Sequence, residues 1–573
     1  MAKKIIIIGA VATGPKVASR LRRLDPDCEI TLIDKDSLIS YGGCGIPYYV
    51  GGDIGEIEEL YSTTAHHARD PEFFRTVKGV DVLTRVEAIG IDRRNKQLKV
   101  RHLEDGTESE MPYDKLVIAT GGSPFTPPIP GADLPGVYPV SNLHHAKAIK
   151  DLISKGAVGS AVVIGAGAIG VEMAEALTDL WGVETTLVEM APHVLPVAIG
   201  PNIALIVEKE LENSGVDVKV GAQVTKILGD KENGVTGVEV SGEVVECDLV
   251  IMAVGVRPNT GFAAAAGLAV SRGGSLIVDK NLKTSDPDIY AGGDCIEVVN
   301  LVSGDKLPMP LGSLANRQGR IIATNIFGKN AQFDGTVGTF CIKVFGMGVA
   351  TAGMTIHQAR LAGFDPVHSV VAQFDRAHFY PDSKFMFIQL IADRTTRKVL
   401  GVEAVGEQID AVKARVDAVV PLLSKGMSVD EVCTLEVGYA PPFASAMDVI
   451  NNAGNTLDNI LDGRNTPIDW PEFIDVFEKG EILVVDLREF VEAEPFIEKY
   501  GADRWIHLSQ LELRDRYEEL PRDKELCLFC GTGARSFECQ IILNQKGFTR
   551  VKNLQGGYAI IRVTEPDFIP PGG

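Results

Sequence analysis

Residues 160–177 read SAVVIGAGAIGVEMAEAL. A β-branched run enters a glycine turn at Gly165, Gly167 and Gly170 and leaves as a helix-forming stretch. That spacing predicts a buried parallel strand, a tight turn, and a helix whose N-terminus receives a pyrophosphate. The next strand, TTLVE, ends at Glu189, 19 residues past Gly170. An acid at that point accepts hydrogen bonds from a ribose diol and repels a 2′-phosphate, which favours NADH over NADPH. No Arg follows it closely; His193 is the nearest phosphate partner.

The same pattern opens the chain. KKIIIIGA (3–10) is a buried parallel strand by its continuous β-branched run. Gly9-Ala-Val-Ala-Thr-Gly14 is the turn, a helix runs through about Leu24, and EITLID ends at Asp34, 20 residues past Gly14. Val11 stands where the middle glycine belongs, so this copy alone would also fit a plain strand–helix turn. Two copies in one chain imply two bound dinucleotides. The basic, apolar start MAKKIIIIGA is too short and turns too soon to read as a signal peptide.

The chain has 573 residues, too many for one core, which predicts three to five domains. A composition of 23% charged and 45% hydrophobic residues is that of a soluble globular protein. A net charge of -21 argues against nucleic acid and anionic membranes as general partners. Nine thinly spread cysteines suggest free thiols in a reducing compartment, and no uncharged apolar run approaches the roughly 18 residues of a membrane span. A cytoplasmic protein without a membrane segment is expected.

Three more motifs follow in order: YDKLVIATGGSP (113–124), DLVIMAVGVRPN (248–259) and IYAGGDCIE (289–297). With the two glycine turns, this order resembles the FAD- and NAD(P)-dependent pyridine nucleotide-disulfide reductase superfamily over about residues 1–450. The resemblance implies an α/β chain with two Rossmann-like dinucleotide-binding domains and an α+β dimerisation domain. Residues 1–150 with 281–328 would bind FAD, 151–280 would bind NAD(P)H, and 329–450 would form a homodimer. The implied FAD positions are Gly9, Gly14, Asp34, Lys35, Val86, Thr120, Gly121 and Asp294, the last on the ribityl chain. Those for NAD(P)H are Gly165, Gly167, Gly170 and Glu189.

ISYGGCGIPYYVGG (39–52) carries a single cysteine, Cys44, with no partner in the following residues. Large members of the superfamily have a CxxxxC disulfide there. A lone cysteine resembles the subgroup of coenzyme A-disulfide reductases, NADH oxidases and NADH peroxidases, in which it alternates between thiolate and mixed disulfide or sulfenic acid. The oxidases and peroxidases place a His in the first glycine turn; GAVATG has none. Lys16, Arg20 and Arg23 form a basic stripe on the first helix, suited to an anionic ligand such as the ADP part of coenzyme A. The resemblance carries coenzyme A contacts to Lys16, Arg20, Arg23, Ser40, Lys78 and Asn316. GYAPPF (438–443) matches a family motif whose tyrosine, Tyr439, reaches the partner subunit's site, and Tyr380 stands in a second, altered motif with Phe379. The family's Asn before the cysteine is Gly43, and a basic residue after the YAPP motif is Met447. Those departures widen the expected substrates from coenzyme A disulfide to its persulfide or polysulfide.

Residues 451–466 read as a linker, and 467–573 as a further α/β domain. EILVVDLRE (481–489) and KELCLFCGTGARS (524–536) are strands, the second running into a loop and helix. The loop from Cys530 is similar to the active-site loop of rhodaneses, whose backbone N–H groups point at the sulfur; with the helix N-terminus and Arg535 they would favour an anionic sulfur at Cys530. Cys527 and Cys530 also form a CxxC, but zinc would need two more ligands and only Cys539 is near, so no metal is expected. Cys530-Gly-Thr-Gly-Ala-Arg535-Ser and LQGGY (554–558) resemble the rhodaneses. The resemblances together imply a coenzyme A-disulfide reductase fused to a rhodanese. Catalysis would fall to Cys44, Cys530, Arg535, Tyr439 and Tyr380. A peroxide- or oxygen-reducing enzyme using Cys44 sulfenic acid, or a sulfurtransferase with a redox-sensing flavodomain, are the alternatives.

Overall fold

A computed structural model of the chain describes residues 2–571. It divides into two compact units, one of residues 1–190 with 215–336 and the other of 191–214 with 337–573.

The first unit holds two parallel five-stranded sheets. One has the order Ile289–Ala291, Lys115–Ile118, Lys4–Ile8, Glu29–Ile33, Asp81–Leu83. The other runs Val216–Lys219, Glu184–Val188, Ser160–Ile164, Leu249–Met252, Val137–Pro139. Strand Lys4–Ile8 is central in its sheet, and its four isoleucines are all buried. This is why the run is continuous and not alternating: a parallel strand covered on both faces has no solvent side. Helices Thr13–Leu24 and Ala168–Thr178 leave the two glycine turns. A third, Gly312–Ile326, packs on Thr13–Leu24 so closely that a Cβ on Gly319 would meet Thr13 O at 2.9 Å.

The second unit contains an antiparallel sheet in the order Phe340–Val344, Met347–Gly353, Val399–Gly406, Phe385–Asp393, Pro366–Phe374. It also contains a parallel sheet in the order Pro467–Ile468, Val551–Leu554, Leu526–Phe529, Leu483–Asp486, Trp505–His507. Helix Pro201–Asn213 belongs with this unit, although its neighbours in sequence are strands of the second dinucleotide sheet. Among the described residues no helix is long and apolar enough to cross a membrane.

Candidate active sites

The two glycine turns have the same construction. Gly9 and Gly165 adopt φ values of +103° and +98°, and their N–H groups donate to Ile33 O and Val188 O at 2.9 and 2.8 Å. Each next N–H donates to the strand-end acid: Ala10 to Asp34 at 2.6 Å, Ala166 to Glu189 at 2.7 Å. A Cβ on Gly14 or Gly170 would lie 1.9 or 1.8 Å from the carbonyl of the first glycine, so both must be glycine. The middle position is different. A Cβ on Gly167 meets nothing within 4 Å, so the fold itself tolerates Val11 at the matching place in the first turn.

These features fit two dinucleotides. Asp294 follows the glycine pair Gly292-Gly293, which packs against Thr13 and helix Gly312–Ile326. Burial alone pushes its carboxyl pKa up, and no protein donor reaches it among the described residues. A carboxylate held in this way suits a ligand rich in hydroxyl donors. Val86 N–H donates to Asp34 O at 2.9 Å, while Lys35 is exposed. Thr120 and Gly121 are knitted to Asn259 by three hydrogen bonds: Thr120 Oγ1 to Asn259 O (2.6 Å), Asn259 Nδ2 to Thr120 O (3.0 Å) and Asn259 N to Gly121 O (2.9 Å). The ATGG and VRPN motifs are therefore one substructure.

Cys44 lies in a single turn, Gly43–Gly45, at the start of helix Ile46–Gly51. Its loop is pinned to the first glycine turn, because Ser40, strained at φ +52°, donates its N–H to Ala10 O at 2.7 Å. A Cβ on Gly45 would strike Leu60 Cδ2 at 2.4 Å, whereas one on Gly43 would meet only Tyr41 Cε2 at 3.8 Å. Gly43 is thus a choice of chemistry, not of space. A methyl group on Gly312 would lie 3.9 Å from Cys44 Sγ, which puts the thiol beside the N-terminus of helix Gly312–Ile326. Such a helix end favours thiolate. Burial of the thiol acts oppositely, and the charges of Glu172 and then Asp294 add to it: all three push the Cys44 pKa up, although the residue as a whole is exposed.

Glu172 is a functional candidate that the reading of motifs missed. It sits on helix Ala168–Thr178, two residues past Gly170, and accepts from Tyr48 Oη at 3.4 Å. Burial, with Glu175 adding, raises its pKa to about 7, against the Tyr48 hydrogen bond. The signal was the acid itself, one of few charges in an apolar helix; its target needed the fold.

The basic stripe is present on helix Thr13–Leu24. Lys16 and Arg23 are exposed, and Arg20 is half-buried with an Nε that has no hydrogen-bond partner. Arg22, between them, donates to Gly79 O at 3.0 and 2.6 Å, which holds Lys78 near this helix. Lys78 stands over the Phe73 ring at 5.3 Å. Gly319 lies against the Lys16 stem, and Asn316, one turn back on the same helix, is exposed and donates to Gly312 O. The first unit therefore brings together Cys44, Ser40, Lys16, Asn316 and Asp294. A separate cavity of about 750 Å³, lined by Ile89, Asp92, Arg93, Lys99, Phe262 and Asp286, holds no nucleophile, and Arg93 is already bound to Asp286 at 2.8 Å.

Tyr439 and Tyr380 are in the second unit, both exposed. Their loops are tied together: Ala377 N–H donates to Pro441 O, and Ser445 Oγ to Arg376 O. Behind them the buried Arg415 bridges Asp448 (2.9 Å), Asp375 O and Phe443 O. Phe379, Phe443 and Met447 are exposed on the same loops.

Cys530 closes strand Leu526–Phe529 and is 1% exposed. Gly533 N–H donates to its Sγ at 3.1 Å, from the turn that starts helix Ala534–Gln545. A Cβ on Gly531 would lie 3.4 Å from Arg535 Nη2, so the guanidinium lies along the loop. Cys527 is fully buried and burial pushes its pKa far up; Cys539 is pushed up to about 12, by burial first. Neither belongs to a metal cluster, and none is found among the described residues. The neighbouring strand end is fixed by the buried pair Asp486–Arg488 at 2.8 Å, with Arg488 between the rings of Phe496, Phe529 and Tyr558.

Residues 3–315 match the pyridine nucleotide-disulphide oxidoreductase family, and 339–449 its dimerisation domain. The chain belongs to this family. Residues 469–561 match the rhodanese-like domain, so a rhodanese-like module follows the oxidoreductase. The NADH oxidase of Methanocaldococcus jannaschii is 36% identical over 450 residues, 78% of this chain and 97% of that protein. The NAD(P)H sulfur oxidoreductase (CoA-dependent) of Pyrococcus furiosus is 32% identical, over 78% of this chain and 97% of its own length. The solved NAD-dependent persulfide reductase from A. fulgidus matches with a TM-score of 0.91 at 38% identity, covering 97% of this chain and 99% of that one. The expected α/β architecture and the pairing of FAD with NAD(P)H hold for this oxidoreductase.

Proposed function

We propose that this oxidoreductase uses NAD(P)H to reduce coenzyme A disulfide, coenzyme A persulfide or polysulfide at Cys44, while Cys530 carries sulfane sulfur. One observation carries the reading. A cysteine without a local partner is anchored to one dinucleotide turn, beside a cationic helix, in a chain that also holds a loop donating N–H to a second cysteine sulfur. The names of the P. furiosus and A. fulgidus proteins support the substrate class. The turn at Gly9 and Gly14, with Asp34 and Asp294, would hold FAD; Gly165, Gly167, Gly170 and Glu189 would hold NADH in preference to NADPH. When bound, FAD supplies the electron pair, taken from NADH, that cleaves a disulfide at Cys44.

The chain's own residues do the rest. Cys44 thiolate attacks a sulfur of the coenzyme A disulfide; that S–S bond breaks, a Cys44–coenzyme A disulfide forms, and a coenzyme A thiolate leaves and takes a proton. With the persulfide, attack at the inner sulfur expels hydrosulfide and leaves the same mixed disulfide. Two electrons and a proton then return Cys44 thiolate and free the thiol. Lys16, Arg20, Arg23, Lys78, Ser40 and Asn316 hold the coenzyme A. The chain works as a homodimer in the cytoplasm, with the partner's Tyr439 and the partner's Tyr380 orienting or protonating the leaving sulfur. Glu172 adds to burial in holding the proton on Cys44.

An oxidase reading has the M. jannaschii name in its favour. The absence of a His from GAVATG speaks against it. In Cys44→Ser, NADH still reduces FAD but coenzyme A disulfide and persulfide are not turned over. Full turnover in that variant sinks the scheme, and NADH-dependent oxygen consumption equal to the sulfur-substrate rate moves the reading to the oxidase.

A further inference from the structure

The rhodanese-like module docks on the edge of the antiparallel sheet through a largely buried polar cluster, in which His368 and Asp469 keep some exposure, all within the second unit. Strand Pro366–Phe374 is that edge, and one of its outward N–H groups, Val370, donates to Gln555 Oε1 at 2.8 Å. Gln555 Nε2 donates to Asp469 Oδ1 at 2.8 Å. Asp469 Oδ2 meets His368 Nε2 at 2.9 Å, and Asn202 Nδ2 donates to the same oxygen at 3.2 Å and to Gln389 Oε1 at 3.0 Å. Gln389 in turn donates to Glu403, which also accepts from Gly200 N–H. Burial would raise the Asp469 pKa, but the donors from His368, Asn202 and Gln555 outweigh it and hold Asp469 ionised. At the docking contact itself both carboxylate oxygens of Asp469 and both ends of the Gln555 amide are hydrogen-bonded, an arrangement of the kind that specifies a single geometry.

Gln555 lies two residues before Gly557, which packs directly on the backbone of the Cys530 loop. Gly556 and Gly557, at φ +73° and +55°, turn the chain so that Tyr558 N–H donates to Cys530 O at 2.8 Å and Ala559 N–H to Gly531 O at 2.9 Å. Asn553, on the other side, donates to Gly533 O at 3.3 Å. The dock and the loop therefore share one short segment, 553–559. We infer that Gln555 and Asp469 are positioning residues for Cys530: gripped by the sheet edge, Gln555 sets the segment that holds Gly533 N–H on the Cys530 sulfur. The inference rests on reading Cys530 as a sulfur carrier, and it makes that activity depend on the oxidoreductase body.

The test uses the full chain. Gln555→Met keeps side-chain length and loses both hydrogen bonds; Asp469→Asn removes the charge; Ser369→Ala removes a buried bond to Ala453 O on the same strand without touching the dock. Thiosulfate-to-cyanide transfer is measured for kcat and KM, and Cys530 alkylation by iodoacetamide is followed by mass spectrometry. Both dock variants should lose about tenfold in kcat at unchanged KM for thiosulfate. Their Cys530 should alkylate more slowly, because the sulfur loses its N–H donor. Ser369→Ala and Cys44-dependent disulfide reduction should match the parent. Faster alkylation in the dock variants means mere loosening of a buried cysteine and overturns the inference, as does an equal effect of Ser369→Ala. If Gln555→Met does not fold, Asp469→Asn decides. A parent that transfers no sulfur, with alkylation still slowed in the variants, overturns the carrier reading and leaves the positioning role standing.

Discussion

Gly557→Ala is the sharpest probe of the Cys530 loop. The added Cβ would lie 2.4 Å from Cys530 O and 2.9 Å from both Gly533 N and Thr532 N, all backbone atoms. Real Cβ contacts do not fall under 3.0 Å, so the Cys530 carbonyl must retreat by about 0.6 Å. That carbonyl accepts from Tyr558 N–H at 2.8 Å, and a retreat of this size stretches and weakens the bond. Gly533 N, the donor to Cys530 Sγ, must move as well. Two weakened hydrogen bonds, at most roughly 1 kcal/mol each, and a non-glycine residue held at φ +55° at roughly 1–2 kcal/mol sum to at most about 3–4 kcal/mol. Misplacing a reacting sulfur by a good fraction of an ångström costs on the order of 10²-fold in rate. Thiosulfate-to-cyanide transfer should thus fall about 100-fold in kcat, while NADH-dependent reduction at Cys44 is unchanged. Circular dichroism and a melting curve establish that the variant is folded. A folded Gly557→Ala with kcat within about twofold of the parent refutes the claim that this loop geometry does the chemistry.

Two other changes address Cys44. Glu172→Gln removes a charge that raises the Cys44 pKa, so the pH midpoint for Cys44 alkylation should move down; an unmoved midpoint would show that the two groups are not coupled. The sign for stability follows from a carboxyl raised from 4.5 to about 7: its penalty is absent below about 4.5, grows as the unfolded chain ionises, and is complete above about 7. Glu172→Gln should therefore melt higher than the parent at pH 8 and alike at pH 4, as read by calorimetry. Gly43→Asn restores the amide that the subgroup carries, in a place with only Tyr41 nearby at 3.8 Å. It should fold with an unchanged melting temperature and raise kcat/KM for coenzyme A disulfide relative to the persulfide; an equal effect on both substrates refutes a selective role for this position.

What was legible in the sequence was what is local. Both glycine turns and the Cys530 loop announce themselves in short runs of consecutive residues, the strand-end acids follow at a nearly fixed spacing, and glycine is placed where a Cβ would strike a carbonyl. Val11 looked like a defect only because a pattern counts every position equally; the structure shows that the middle position alone has room. What was not legible depends on distant pairings. Glu172 acquires its shifted pKa and its Tyr48 contact only when two helices 124 positions apart in sequence are packed together. His368 and Asp469 are 101 positions apart, and neither carries a motif. Helix Pro201–Asn213 has an amphipathic pattern compatible with any neighbour, so its place with the antiparallel sheet could not be read from periodicity.

The two cysteines stand in opposite settings, and the contrast bears on how labour is divided between them. Cys44 is exposed, next to a helix N-terminus, with two carboxylates that disfavour its thiolate. Thiol nucleophilicity rises with pKa once the proton is gone, while leaving ability falls. A Cys44 of raised pKa is therefore a strong attacking group and a poor leaving group. On the proposed scheme, each increase in the Cys44 pKa makes its sulfur a poorer leaving group in the mixed disulfide and so biases reduction toward release of the coenzyme A thiol. Cys530 is buried and receives an N–H on its sulfur, the arrangement that steadies a charged sulfur. Neutralising Glu172 should shift Cys44 toward the character of a leaving group. If Glu172→Gln then accumulates less of the Cys44–coenzyme A disulfide at steady state, as mass spectrometry would show, the charge and not the motif decides which sulfur departs; an unchanged adduct level removes Glu172 from the mechanism.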